Sequence, residues 1–378
     1  MRKKLLFFTK MNFGVAANGG IKKKVFAQAR AFRQLGFEVD VLYFENQTIK
    51  IEGDNANLSY TAAHQLDYLR FLFGGFAAQI DIRQYSYVYI RHFLTNPLFI
   101  RLLQKLRGQN PALKMFMEIP TYPYRFEFGK MPFVKRAELW IDERCVAYFK
   151  NYLNRIVTFS SKATIFGIPT VRTDNGIDIE QFGLLDKAPF DGQTLHLLGL
   201  ANVQIWHGFD RFVEGLRAYY AHQPALRVVF HVVGSGADVP HLQALVQKYN
   251  LQDVVQFHGF LLGDALDAMF KKCHLGIGSC GMHRINVAKG ETSALKSREY
   301  AARGLPFVIG YEDRGFPQNY PYLLTLPAAE TPISIQELVD FYQSLTQTPD
   351  YNLQLHQYAK ENLTWAAKLK NVAEEYLK

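Results

Sequence analysis

The sequence predicts an α/β chain with two parallel sheets in tandem. Three observations carry this. Short unbroken apolar runs alternate with amphipathic stretches. Glycines and polar turns punctuate the alternation. The pattern restarts after a polar link at about 184–194, which holds Pro189 and Asp191-Gly192.

In the first half, Leu5–Phe8 is the opening strand and Asn18-Gly19-Gly20 a glycine loop. A helix with an apolar stripe follows from about Lys22 to Leu35, stopped by Gly36, and Val39–Phe44 is the next strand. This is a β-loop-α-β unit of Rossmann type. Without G-x-G-x-x-G it carries no dinucleotide signature. Further strands are expected at Tyr87–Ile90, Met115–Ile119 and Ile156–Phe159, with helices around Pro97–Leu106 and Lys135–Phe149. The apolar segment Leu69–Ile80 has two readings, a buried helix or a surface that docks on a membrane.

In the second half, strands are expected at Leu195–Leu200, Val228–Val233, Val254–Phe257, Leu275–Ile277, Phe307–Ile309 and Leu323–Leu326. Continuous apolar strands between helices mark a parallel sheet covered on both faces. The tail, about Tyr351 to Leu377, has a helical pattern anchored by Trp365.

The 378 residues are 48% hydrophobic and 20% charged, the balance of a soluble globular chain. No run approaches the roughly 18 apolar residues of a membrane span. The opening MRKKLLFFTK has too short an apolar core for a signal peptide and fits a first strand, so a cytoplasmic protein is expected. Cys145, Cys273 and Cys280 lack C-x-x-C spacing, which indicates neither a disulfide frame nor a zinc site. The net charge of +9 is uneven: residues 1–186 carry +10 and residues 187–378 carry −1. An anionic partner of the first half is expected, a membrane surface or a phosphorylated acceptor. No nucleic-acid motif accompanies the charge.

The stretch Gly290 to Val308 combines loop, helix, glycine stop and buried strand. Thr292 or Ser293 can cap the helix, and Gly304 ends it. Lys296 and Glu299, three residues apart, share a face. The helix N-terminus, with unpaired N–H groups and positive dipole, suits a diphosphate, and a deeper carboxylate suits sugar or ribose hydroxyls. The plain alternative is a solvated charged helix face.

Several segments resemble the bacterial family-4 glycosyltransferases of the GT-B fold, in particular those of surface-polysaccharide synthesis. They are Asn175-Gly176-Ile177-Asp178, Val232 to Gly236, the glutamates Glu291 and Glu299, and Gly304 to Val308. Trp206-His207-Gly208-Phe209-Asp210-Arg211, His283-Arg284, Ser293 to Tyr300, and Glu118 to Pro123 carry the narrower likeness. It spans nearly the whole chain and is strongest over 175–310.

The resemblance implies two Rossmann-like domains with parallel sheets facing across a cleft. Residues 1–186, with a returning C-terminal helix at about 356–378, would bind the acceptor. Residues 187–355 would bind the nucleotide sugar. It implies retaining transfer of a sugar from a nucleotide-sugar donor, UDP type favoured, to a glycan or lipid-linked acceptor, with no metal and no separate cofactor. Peripheral attachment to the inner face of the membrane fits the basic first half. The Arg and Lys that clamp the diphosphate in the wider family are replaced here by Leu200 and His207.

Lys296, Arg211 and Arg284 are therefore expected to supply the positive charge, and Glu291 to contact the donor sugar. Glu299, Ser293, Ala294, Gly19, Gly20, Gly234, His207 and His283 are expected on the donor, and Glu118 and Tyr122 on the acceptor side. Ion pairing of Lys296 or Arg284 with Glu299 or Glu291, or helix capping by His207, are the structural alternatives. Two other functions use the same fold: a non-catalytic partner of an active transferase, and a sugar-nucleotide epimerase.

Overall fold

The computed structural model describes residues 3–15, 18–124, 133–186, 190–285 and 293–377. The chain divides into two compact units, Met1–Asp174 with Trp365–Lys378, and Asn175–Thr364.

The first unit opens with β1 (Lys3–Asn12), α1 (Gly19–Gln34), β2 (Phe37–Glu45), β3 (Thr48–Gly53) and β4 (Asn57–Thr61). Short helices α2 (Gln65–Arg70) and α3 (Phe76–Gln79) flank a π-helical turn at Phe71–Gly75. Then come β5 (Tyr87–Arg91), α4 (Pro97–Gln109), β6 (Lys114–Glu118), α5 (Phe133–Cys145), β7 (Arg155–Thr158), β8 (Thr164–Ile165) and β9 (Ile168–Arg172). The sheet order is β4-β3-β2-β1-β5-β6-β7-β9-β8, parallel from β2 to β9 with antiparallel strands at each edge. Leu5 to Phe8 are almost wholly buried, as a strand covered on both faces requires. Phe71, Leu72, Phe73 and Phe76 join one of the two apolar layers on this sheet, so Leu69–Ile80 is core and not a docking surface.

The second unit holds β10 (Thr194–Leu200), α6 (Phe209–Tyr220), β11 (Arg227–Val233), α7 (Val239–Lys248), β12 (Val255–Gly259), α8 (Gly263–Lys272) and β13 (Leu275–Ile277). It continues with α9 (Leu295–Ala302), β14 (Phe307–Ile309), β15 (Leu323–Thr325), α10 (Ile335–Thr346) and α11 (Tyr351–Asn362). All six strands are parallel in the order β12-β11-β10-β13-β14-β15. This is the doubly wound Rossmann order, whose direction reverses between β10 and β13. Ligands of such sheets bind outside the strand carboxyl ends at that reversal.

The expected boundary at 186/187 lies beyond the division at 174/175. Ile177, Ile179, Phe182 and Leu185 pack on the second unit's core, which draws the link into that unit. The tail is two helices rather than one. α11 ends at Asn362, and α12 (Trp365–Leu377) returns to the first unit. There Tyr376 stacks on Phe116 at 3.8 Å and donates to the Val88 carbonyl at 2.8 Å. No described helix is long and apolar enough to cross a membrane.

Candidate functional site

The strand reversal of the second unit is assembled by backbone contacts that only glycine permits. Gly234, at φ +123°, puts its Cα where a Cβ would sit 1.8 Å from the Ala201 carbonyl oxygen. Gly208, at φ +66°, lies against the backbone of Cys280. The loops after β10, β11, β13 and β14 are joined by hydrogen bonds. Val203 N donates to Ser235 O (2.7 Å), Cys280 N to His207 O (2.9 Å) and Gly310 N to Ser279 O (2.9 Å). Gly234 thus brings the loops after β10 and β11 into backbone contact.

α9 is anchored over the reversal by Tyr300. Its buried hydroxyl lies 3.1 Å from the carbonyl oxygens of both Leu198 and Ile277 and accepts from Leu200 N at 3.2 Å. Those partners lie at the carboxyl ends of β10 and β13. Residues four apart share a helix face, so Lys296 stands over the same strand ends, one turn closer to the helix N-terminus. Its Nζ is buried and has no hydrogen-bond partner among the described residues. Burial lowers its pKa to about 7, partly offset by the Cys280 thiol. The charge of this amine also bears on Cys280 and His207, whose backbones are bonded to each other at 2.9 Å. Burial pushes the Cys280 thiol up to about 12, so it is an unreactive neighbour.

His207 is buried, and burial, with the charge of Lys296, brings its pKa down to about 3. Its Nδ1 accepts from Gln204 N at 2.9 Å. A neutral ring that accepts at Nδ1 carries its proton on Nε2, which is then a donor. His207 caps the short turn Ile205–His207 rather than the helix that begins at Phe209.

Other expected residues have structural partners. Arg211 is buried, and its guanidinium donates to the carbonyls of Thr331 (2.9 Å), Cys280 (2.5 Å) and Pro327 (3.3 Å). It pins loops together, and these carbonyls take up its donors. Arg284 donates to Asp210 (2.7 and 2.9 Å), to Glu330 (2.5 Å) and to the Ile205 carbonyl (2.8 Å). His283 lies 2.6 Å from the same Glu330. The pairing of Arg284 is thus with Asp210 and Glu330, and not with the Glu299 or Glu291 expected from the sequence.

Glu299 accepts from Arg303 Nε at 3.2 Å, and Arg303 also pairs with Asp267 at 2.8 Å. Ser293 is not the helix cap. Its hydroxyl accepts from Asn175 N at 2.9 Å, while Ala294 occupies the cap position with no side-chain bond. Arg298, fully buried, donates to Asn175 O at 3.2 Å and forms an ion pair with Asp313. This pair ties the Asn175 turn to α9, and no sequence signal marks it. Glu291 and Thr292 lie outside the described residues.

Beside this spot, a cavity of 1130 Å³ opens at the carboxyl ends of β14 and β15, lined by His283, Tyr311, Asp313, Phe316, Tyr320 and Leu324 among others. Neither Lys296 nor His207 nor Glu299 lines it. It adjoins the reversal through the Tyr311 hydroxyl, 3.0 Å from Ser297 Oγ on α9.

In the first unit, α1 begins at Gly19-Gly20, three residues before the expected start. A Cβ at either glycine would meet nothing within 4 Å. Glu118 ends β6 fully buried, paired with Lys24 (3.1 Å) and Arg91 (3.3 Å) and accepting from Gln28 (3.0 Å). Burial raises its pKa, but these cations and the amide more than offset that, and it stays below the usual range. Tyr122 is half-buried against Phe166, ring centroids 5.6 Å apart. Glu118 therefore serves an internal ion network, which occupies the oxygens expected to reach an acceptor.

No family model matches the chain, and no curated protein matches it in sequence. Solved structures match its fold. HepE of Anabaena, in complex with UDP, aligns with a TM-score of 0.62 at 14% identity, covering 99% of both chains. A glycosyltransferase from Rickettsia africae aligns at 0.61 and 13% identity, covering 100% of this chain and 99% of the other. Sucrose-phosphate synthase from Thermosynechococcus elongatus aligns at 0.56 and 16%, covering 99% and 97%. The chain thus has the GT-B arrangement of two Rossmann-like domains in one polypeptide, the fold of these glycosyltransferases.

Proposed function

We propose that the protein is a metal-independent, retaining glycosyltransferase. It moves a sugar from a nucleotide-sugar donor to a glycan or lipid-linked acceptor in cell-surface polysaccharide synthesis. The observation that carries this is Lys296, a buried amine over the strand reversal with no partner among the described residues. An amine held there is costly until an anion arrives. A diphosphate leaving group supplies that anion. Lys296, the Nε2–H of His207 and the free N–H groups at the start of α9 would then meet the charge that develops as the glycosidic bond breaks. This is a thinner clamp than three cations, because Arg211 and Arg284 are held elsewhere.

Glu299, on the same helix, would exchange its bond with Arg303 for ribose hydroxyls. Glu291 would contact the donor sugar, as the resemblance implies. Gly19 and Gly20, with open space around them, would let the donor phosphates approach α1. HepE has been solved with UDP-glucose, which supports UDP as the nucleotide.

The second reading, a non-catalytic partner of an active transferase, is favoured by one observation. Two of the three cations expected on the diphosphate are already bound to carbonyls or carboxylates. A thermal-shift screen against UDP, GDP, CMP and dTDP sugars separates the two. A ligand at a hundredfold excess over its Kd stabilises by about 2.7 kcal/mol. A shift with one nucleotide, lost in Lys296→Met and weakened in Glu299→Ala, is the expected result. No shift with any donor, from folded protein, would favour the non-catalytic reading.

A further inference from the structure

The cavity at the carboxyl ends of β14 and β15 is not accounted for by the groups assigned to the donor, since neither Lys296 nor His207 nor Glu299 lines it. Sites for single small molecules run from roughly 300 to 1,000 Å³. At 1130 Å³ this cavity has room for a chain of linked units. Its wall is fixed by packing behind it. Asp313 forms a fully buried ion pair with Arg298 of α9 and accepts from Gly315 N at 3.0 Å. The Gly315 carbonyl accepts from the Tyr358 hydroxyl of α11 at 2.7 Å. Phe316 stacks on Tyr358 with centroids 5.7 Å apart, and Tyr320 packs on both, at 5.6 and 4.7 Å. Such a wall has little freedom left to lose when a ligand arrives.

The chemistry of the wall selects the ligand. Its charged side chains already have partners: Asp313 with Arg298, Glu312 with Arg314 at 3.3 Å, and His283 with Glu330 at 2.6 Å. A phosphate or carboxylate therefore meets no unpaired cation among the described lining residues. The other polar groups of the wall are neutral: the exposed Gln318, Asn319 and Thr325, and the half-buried Tyr311 and Tyr320. Burial raises the pKa of both phenols, so they keep their protons. Amides and hydroxyls donate and accept together, and so does a sugar hydroxyl. The C–H face of a pyranose covers an aromatic ring while its rim hydroxyls bond to polar groups beside that ring. An acyl chain would instead bury these polar groups without partners.

We propose that this cavity binds a neutral oligosaccharide, with sugar rings on Tyr320 and Phe316 and their hydroxyls on Gln318, Asn319 and Thr325. It adds a glycan contact to the second unit, to which the sequence resemblance assigns the nucleotide sugar alone. It goes beyond the transferase reading and does not rest on it, since glycan binding is measured without a donor.

The test is a printed array of neutral oligosaccharides built from glucose, galactose, mannose, rhamnose and N-acetylglucosamine, probed without nucleotide, with calorimetry on the glycans that bind. Binding to a subset of these glycans is expected, and it should persist in Lys296→Met. Tyr320→Ala should weaken it roughly tenfold. Because Tyr320 also packs on Phe316 and Tyr358, a second variant is needed that leaves the fold alone. Gln318→Ala/Asn319→Gly serves, since both side chains are exposed and glycine readily adopts the φ of +56° at Asn319. It should weaken glycan binding at least about fivefold, by loss of two hydrogen-bonding groups, with an unchanged melting temperature. A native protein that binds none of the glycans would overturn the proposal. Native affinity in the double variant would overturn it as well. So would binding that UDP displaces and Lys296→Met abolishes, because the sugar would then lie in the donor site.

Discussion

Lys296 sets the properties of the second unit's site. A lysine with a folded pKa lowered from 10.5 to about 7 destabilises the fold at neutral pH and below. The unfolded chain binds the extra proton, so stability returns as pH rises from 7 towards 10.5. Lys296→Met keeps the volume and removes the amine. It should raise stability at pH 7 by the order of 2–4 kcal/mol, with the gain fading towards pH 10 in denaturant titrations. The same variant should lose transfer by about 10²–10³-fold.

Ligand binding has the opposite linkage. A bound diphosphate raises the amine's pKa, so binding above pH 7 takes up a proton. Affinity for a sugar nucleotide should be level below about pH 7 and fall above it, by at most tenfold per unit. Calorimetry in buffers of different ionisation enthalpy reads the proton directly. Affinity that rises with pH would remove Lys296 from the anion site.

At the scale of the element, α6 and α9 position the site by different means. α9 is located by Tyr300, whose hydroxyl meets the ends of β10 and β13, and by Gly276, where any Cβ would strike the Tyr300 ring at 2.7 Å. α6 is located by Arg211, which reaches three carbonyls from two loops. Arg211→Met leaves those buried oxygens short of donors. It should cost about 2–4 kcal/mol, a melting effect several degrees wide, with nucleotide affinity of the folded protein changed less than tenfold. A severe loss of affinity with an unchanged melting temperature would restore Arg211 to the ligand.

At the scale of the molecule, the two units have separate cores joined by a chain that crosses at 174/175 and returns at 364/365. α12 closes the first unit: Tyr376 is fully buried among Phe32, Phe37, Tyr87 and Phe116. Tyr376→Ala removes a large aromatic and should destabilise the first unit by about 3–5 kcal/mol. Calorimetry should then show an earlier first transition, while the transition that responds to nucleotide stays in place. A single transition moved as a whole would mean that the units melt together.

Much of this was determined by the amino-acid sequence. The six strands of the second unit and five of the first follow from local apolar runs, because burial on both faces needs continuous apolar side chains. β3, β4, β8 and β9 escaped, since these strands at and next to the sheet edges alternate or carry polar residues and lack that signal. Gly304 was legible as a helix stop, and its φ of +68° is the conformation a glycine supplies. Lys296 was legible as a candidate site residue through its motif. Its isolation was not, because whether a charge has a partner depends on residues far away in the chain. The sequence reasoning treated Arg211, Arg284 and Lys296 alike. Tertiary structure separated them: carbonyls of residues 280, 327 and 331 surround Arg211, and Asp210 and Glu330 hold Arg284, while no described residue answers Lys296. Local chemistry decides which groups are present and which elements carry them. Only the packing of distant segments decides which charge is left for a ligand.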